Sequence, residues 1–307
     1  MPNSASAPNE PYDAIIVGGG PGGLAGALAL GRARRRVLLC DSGPRRNAEA
    51  IHLHNFITRD GTPPDVFRQH GRADLARYPT VEVRDERVAA ITGERGSFRA
   101  RVGESDVIAR RVLLATGMVD EMLPIEGFRE LWGRSIYQCP YCHGFEVSDR
   151  PWGYLGREPD LAHVLPFGLQ MRCWTEDVKV YTNGAPLPDE VRSKLEAGGV
   201  LVESRPIARL VADGGRLVAI EFTDGSSSRC EALFAHPPQR QVDLVRSLGL
   251  ALDEHGFLAI DPMRRETSIP GVFATGDATS RMQAAVIAAA SGAQAAAMIN
   301  VDLAMMG

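Results

Sequence analysis

A chain of 307 residues is long enough for two domains of ordinary size, and with 44% hydrophobic and 23% charged residues it can bury a core in each. A net charge of −4 supplies no basic face, which argues against nucleic acid and anionic membranes as partners. The first eleven residues, rich in Ser, Ala, Asn and Pro, lack the basic start and apolar centre of a secretory signal. They read as a disordered tail (1–11), no apolar run reads as a membrane span, and a cytoplasmic location is expected.

In chain order, Asp13–Val17 (DAIIV) is a short apolar strand, followed by a glycine-rich turn and a helical stretch to about Arg32. A second strand, Val37–Cys40, ends at Asp41 and completes a βαβ opening. The polar stretch Ser42–Pro64 reads as a long loop, and Pro64–Tyr78 as a helix. Strands follow near Val81–Val83, Phe98–Val102 and Val112–Ala115. A second block starts near Met118, with a strand at Trp152–Leu155 and a helical run to about Arg172. Its further strands are expected at Lys179–Thr182, Val200–Glu203, Val218–Phe222 and Leu233–Ala235. A long Ala-rich helix from about Met282 closes the chain. Two βαβ-like units of similar layout predict an α/β protein with two Rossmann-type domains.

The first turn, Gly18-Gly19-Gly20-Pro21-Gly22-Gly23, places Gly18, Gly20 and Gly23 at G-x-G-x-x-G spacing. The first glycine permits the tight turn, the second admits a pyrophosphate to the backbone, and the third lets helix and strand pack closely. Free N–H groups at the helix start then face the phosphates. Asp41, at the end of the second strand, is placed to accept hydrogen bonds from ribose hydroxyls. The motif by itself serves FAD or NAD equally.

Five cysteines, an odd number, argue against a disulfide framework, and two of them stand at C-x-x-C spacing in Cys139-Pro140-Tyr141-Cys142-His143-Gly144. Such a pair can close a small disulfide, and a helix start would stabilise one thiolate. C-x-x-C-H also spells a c-type haem attachment site, which would require export. Zinc would need two further ligands, and Cys40, Cys173 and Cys230 are isolated. No metal is expected.

Three elements in order resemble the two-dinucleotide-binding flavoproteins: the glycine turn, Leu113-Leu114-Ala115-Thr116-Gly117, and Thr267 to Asp277 ending in Ala274-Thr275-Gly276-Asp277. With CPYCHG in the inserted block, the chain resembles the low-molecular-weight thioredoxin reductases, and with the loop His52-Leu53-His54-Asn55-Phe56 it is similar in pattern to the gliotoxin- and holomycin-type dithiol oxidases. The resemblance implies FAD, a discontinuous FAD domain (12–117 and 241–307) and an inserted NAD(P)-binding-like domain (118–240) carrying the CxxC. It implies FAD contacts from Gly18, Gly20, Pro21, Gly22, Gly23, Asp41, Asn47, Asn55, Val88, Ala115, Thr116, Gly117, Gly276, Asp277, Gln283 and Ala284. Cys142 would face the flavin and Cys139 exchange with substrate. His143 would donate protons with a pKa near neutrality, and His54 would help to move them. A homodimer acting on a small dithiol or disulfide, or on a thioredoxin-like protein, is expected.

The nicotinamide half-site departs from the pattern. The expected G-x-G-x-x-[GA] reads Gly156-Arg157-Glu158-Pro159-Asp160-Leu161. A Glu158 carboxylate about 4 Å from a phosphate would cost on the order of 4 kcal/mol at an effective dielectric near 20. The following strand ends Tyr181-Thr182-Asn183-Gly184, without the paired arginines that hold a 2′-phosphate. NADPH is therefore doubtful. Electrons are expected to run from a dithiol through Cys139/Cys142 to FAD and on to oxygen or another acceptor. The alternatives are an NADPH-dependent reductase with a divergent site, a ferredoxin-linked reductase, and a flavin redox sensor without turnover.

Overall fold

The computed structural model describes residues 10–156 and 161–305, the side chains of Leu161 and Ala162 excepted. The expectation placed on Glu158 thus lies outside the described residues, as does most of the tail. The chain divides into two compact units. The first comprises residues 1–46, 56–119 and 239–307; the second comprises residues 47–55 and 120–238.

In the first unit, strands Val81–Arg84, Val37–Cys40, Tyr12–Val17 and Ser105–Leu114 lie side by side in that order. They run parallel, with Val272–Ala274 added on the far side of Ser105–Leu114. Alternation along each strand explains why both faces are covered. Ile15, Leu38, Val112 and Leu114 face one cluster, while Ala14, Ile16, Leu39 and Leu113 face the other. An antiparallel extension, Val88–Glu94 and Ser97–Val102, continues the sheet. The strand at Val88–Glu94 was not foreseen, and Ser105–Leu114 is longer than the expected Val112–Ala115.

The helix Pro21–Arg32 packs against the last helix, Ala285–Met305, at a contact between two glycines. A Cβ on Gly292 would lie 2.0 Å from the carbonyl oxygen of Gly22. The last helix is long and apolar enough by composition to cross a membrane, which the sequence reading did not expect. Ala288, Gly292, Ala295, Ala296, Ile299 and Leu303 bury one side of it. Near its end Asp302 pairs with the buried guanidinium of Arg111. Core packing thus accounts for one face of this helix, while Ala290, Ala293, Ala297 and Val301 on the other face are exposed.

The second unit holds a five-stranded parallel sheet: Val200–Glu203, Val178–Tyr181, Trp152–Leu155, Ala232–Ala235 and Ile136–Tyr137. An antiparallel sheet, Ile207–Asp213, Arg216–Phe222 and Ser227–Arg229, sits in the same unit. In both parallel sheets the central strand runs into a glycine, Val17 into Gly18 and Leu155 into Gly156. Open α/β sheets bind ligands at such strand ends. The α/β class with two Rossmann-type sheets is the observed architecture.

Candidate functional site

In the first unit the glycine turn is shaped by contacts no larger residue could make. Gly18 has φ +109°, and a Cβ there would lie 2.3 Å from the Ala115 oxygen. A Cβ on Gly23 would fall 1.8 Å from the oxygen of Gly18. At Gly20, by contrast, an added Cβ meets nothing within 4 Å. Pro21 begins the helix, where its missing N–H costs nothing, and the first-turn N–H groups have no acceptor within the helix. Open space beside free donors suits a pyrophosphate.

Asp41 is buried and stands directly against the turn: a Cβ on Gly19 would touch its Oδ2 at 2.3 Å. Its carboxylate already accepts from Arg68, and from Arg72 at 3.4 Å. Those arginines were not foreseen; with Gly43 N at 3.2 Å they take three of the carboxylate's roughly four acceptor positions, leaving about one for a ribose hydroxyl. The Thr116 hydroxyl is buried without a hydrogen-bond partner, and Gly117, at φ +65°, borders open space. Ala115 continues the strand through its N–H to the Val17 oxygen at 2.8 Å.

At the start of the last helix, Arg46 donates to Asp277 Oδ2 at 2.9 Å and to Gln283 Oε1 at 2.5 Å. Gln283 and Gln239 exchange amide hydrogen bonds of 2.8 and 3.0 Å. Arg46 and Gln239 are therefore members of this cluster that no motif announced. Gly276 precedes Asp277 in a 3-10 turn, and Ala284 accepts the first helical bond, from Ala288 N at 2.9 Å. Gly22 packs on Thr275 and Ala288. These expected positions are thus in one unit with the glycine turn. The Val88 side chain belongs to the core. Asn47 and Asn55 fall in the second unit, because their segment makes its contacts there. Glu49 pairs with Arg134 at 3.2 Å, and a Cβ on Gly133 would meet Glu49 at 2.7 Å.

In the second unit, Cys139 caps a single helical turn, Pro140–His143. The turn is pressed onto the core: Gly144 lies so close to Pro140 and Trp152 that a Cβ would clash with both, at 2.4 and 2.9 Å. This fixes the two cysteines face to face. Cys142 Sγ donates to Cys139 Sγ at 2.9 Å, within reach of an S–S bond of about 2.05 Å. That hydrogen bond lowers the Cys139 thiol from 9.0 to about 7, aided by the N–H groups of Cys142 and Tyr141 and opposed by burial. The shift favours the Cys139 thiolate, the reactive form.

His143 stacks on Tyr137 with ring centroids 4.5 Å apart, and neither of its ring nitrogens has a hydrogen-bond partner. Burial pushes it down to about 4, with Glu146 opposing the shift and His54 adding to it. The near-neutral titration expected of His143 is corrected accordingly: in this fold it is a neutral imidazole at pH 7. Its neighbour His54 reaches Glu146 with Nε2 to Oε1 at 3.4 Å, and His52 lies edge-on to His54 at 5.9 Å. Glu146, one helical turn beyond Cys142, was overlooked in the sequence, although the spacing Cys142-His143-Gly144-Phe145-Glu146 could have shown it. Two aromatic side chains flank the turn: Tyr141, 60% exposed, and Phe145, 83% exposed. The structure therefore gathers Cys139, Cys142, His143 and His54, with Glu146 added.

The nicotinamide-type half-site can be described in part. Asn183 caps the turn after Val178–Tyr181, accepting from Ile207 N at 2.7 Å. Arg192 donates to Ser204 at 2.7 Å. Arg205 is paired with Glu203 and Asp224 and lies over the Phe222 ring. No group of three or more metal-binding side chains occurs among the described residues.

Against known proteins, the sequence matches the family described as "Pyridine nucleotide-disulphide oxidoreductase" over residues 12–165 and 180–292. It is 35% identical to "Thioredoxin reductase aclD" of Aspergillus oryzae, covering 95% of this chain and 96% of that protein. Among solved structures, HlmI superposes with a TM-score of 0.88 at 35% identity, covering 98% of this chain and 96% of that one. A thioredoxin reductase TrxB from Bacillus anthracis, described as putative, gives 0.88 at 32%, covering 96% and 99%. With a glycine turn in one unit and a close dithiol in the other, the chain belongs to the pyridine nucleotide-disulphide oxidoreductase family, among its thioredoxin reductase-like members.

Proposed function

We propose that this disulfide oxidoreductase uses FAD, and that it works as a dithiol oxidase without NADPH. The observation that carries the redox reading is the Cys139/Cys142 pair, 2.9 Å apart beside a histidine with two unpartnered nitrogens. Buried polar atoms left unsatisfied are costly and are retained where chemistry needs them. FAD fits the first unit: open space at Gly20, helix-start donors, the orphaned Thr116 hydroxyl and the Asp41 carboxylate offer its pyrophosphate and sugar the groups they require.

Within the oxidised protein, a substrate thiolate attacks Cys139 Sγ and Cys142 leaves as thiolate. The second substrate thiol passes its proton to Cys142, breaks the mixed disulfide and releases Cys139 as thiolate, a good leaving group because the Cys142 thiol then donates to it. His143, neutral through burial, can accept a thiol proton, and Glu146 holds the imidazole of His54 beside it. FAD, which the glycine turn, Asp41 and Thr116 would hold, would supply the two-electron acceptor for the dithiol, with oxygen or another acceptor as the final oxidant. The absence of NADPH is supported by Arg205, whose two carboxylate partners oppose a 2′-phosphate, and by Asn183, whose side chain is spent on a turn.

The second reading, an NADPH-dependent reductase of a thioredoxin-like protein, is favoured by the names of the relatives. Anaerobic titration separates the two. We expect the yellow chromophore to bleach with dithiothreitol and to persist with micromolar NADPH; rapid bleaching by NADPH would overturn the NADPH-independent reading. Tyr141 and Phe145 offer an apolar rim to either a small dithiol or a protein partner. A homodimer is proposed from the exposed stripe Ala290, Ala293, Ala297, Val301 and Met305 on the last helix. A cytoplasmic location, which keeps a substrate dithiol reduced, belongs to the same proposal.

A further inference from the structure

Behind Tyr137, on the second unit, a cavity of about 190 Å³ is lined by Arg134, Arg150 and Arg216, with Asp213 and Glu231 at its wall. Three of these charges are committed or opposed. Arg134 pairs with Glu49 at 3.2 Å, Glu231 with Arg229 at 2.6 Å, and Asp213 contributes one negative charge. The guanidinium groups of Arg150 and Arg216, however, make no hydrogen bond or ion pair with any described residue, and their positive charge reaches the Tyr137 phenol. Guanidinium forks match planar or tetrahedral oxyanions, and two in one concavity give such an anion two bidentate partners. The third feature is Tyr137 itself. It lines the cavity, its hydroxyl donates to the Arg134 carbonyl, and its ring stacks on His143 at 4.5 Å and 16°.

We propose that this cavity binds a small oxyanion, a carboxylate or a phosphate, between Arg150 and Arg216, and that its occupancy is felt at the dithiol through Tyr137 and His143. Binding does not depend on the redox reading above; the effect on the dithiol does. An anion here would offset the two guanidinium charges and so change the field at the Tyr137 ring that stacks on His143. The ligand has two candidate sources, a carboxylate carried by the thiol substrate or a free anion.

The test uses the full-length protein. Isothermal titration with inorganic phosphate, and separately with succinate, is run at constant ionic strength against chloride. We expect saturable binding by the wild type and affinity about tenfold weaker, or more, for each arginine removed in the R150A/R216A variant. No saturable binding, or equal affinity in wild type and variant, overturns the site. In the second arm, alkylation of Cys139 in the reduced protein is timed with and without phosphate. We expect the rate to change at least twofold in the wild type and not in Tyr137→Leu, which keeps both arginines. An unchanged wild-type rate despite binding overturns the link to the dithiol. Turnover then identifies the source. If R150A/R216A raises KM for dihydrolipoate and not for dithiothreitol, the oxyanion is a substrate carboxylate; if both KM values hold while phosphate binding is lost, it is a free anion.

Discussion

His143 bears a stability cost that the fold keeps. Its folded value of about 4 lies below the ordinary 6.5, so the unfolded chain binds the extra proton between those pH values. Stability therefore falls as the pH drops from about 6.5 to about 4, by about 3 kcal/mol in full. Replacing it with phenylalanine keeps the stack on Tyr137 and removes two buried unsatisfied nitrogens. We expect His143→Phe to stabilise the protein by about 1–3 kcal/mol at pH 7 and to flatten the acid limb of its stability curve. Dithiol oxidation should fall at least tenfold. Urea unfolding at several pH values, paired with oxygen uptake, measures both. At this scale the sequence was informative where chemistry is local: CPYCHG announces the cysteines and the histidine. It was silent about the titration of His143, which depends on burial beneath Tyr137. Glu146 was legible from its spacing to Cys142, but its pairing with His54 was not, because that depends on a loop ninety-odd positions earlier folding back.

Elements carry the next constraint. The first and last helices meet at Gly22 and Gly292, with room for hydrogens only. Gly292→Ala would put a methyl 2.0 Å from the Gly22 oxygen, and the helices would have to separate. We expect a loss of about 1–3 kcal/mol or more in chemical unfolding, and, on the proposal that FAD occupies the glycine turn, weaker retention of the yellow chromophore on desalting, because Gly22 is part of that turn. Retention equal to that of the wild type would show that the turn does not depend on this contact. Most parallel strands were legible because they are continuous apolar runs buried on both faces. Those missed had a broken pattern. Val88–Glu94 shifts register between Val88 and Ala90, and Ile207–Asp213 shifts twice, so apolar residues do not alternate cleanly. The helix Asp189–Ala197 buries only Leu195 and offered no apolar stripe to read.

Over the whole molecule, distant segments are joined by charges no local pattern reveals. Arg111 and Asp302, 191 positions apart, form a buried pair. Arg264 and Arg95 approach the same carboxylate at 3.4 and 3.6 Å. Asp302→Ala would take the carboxylate away from the buried Arg111 guanidinium, and we expect a cost of about 3–5 kcal/mol, read as a lower urea midpoint. The discontinuity of the first unit was legible from the order of the dinucleotide motifs. The excursion of residues 47–55 into the second unit was not, since a polar loop gives no sign of which unit it will join.

The glycine pair between the first and last helices also bears on how the protein is made. Gly22 is backed by Ala288 and Gly292, which are made more than 260 residues after it. A nascent chain that has not yet reached Ala288 has the glycine turn but no helix behind it. If that turn holds a dinucleotide as proposed, loading waits for the helix, and products truncated before Ala285 should emerge colourless.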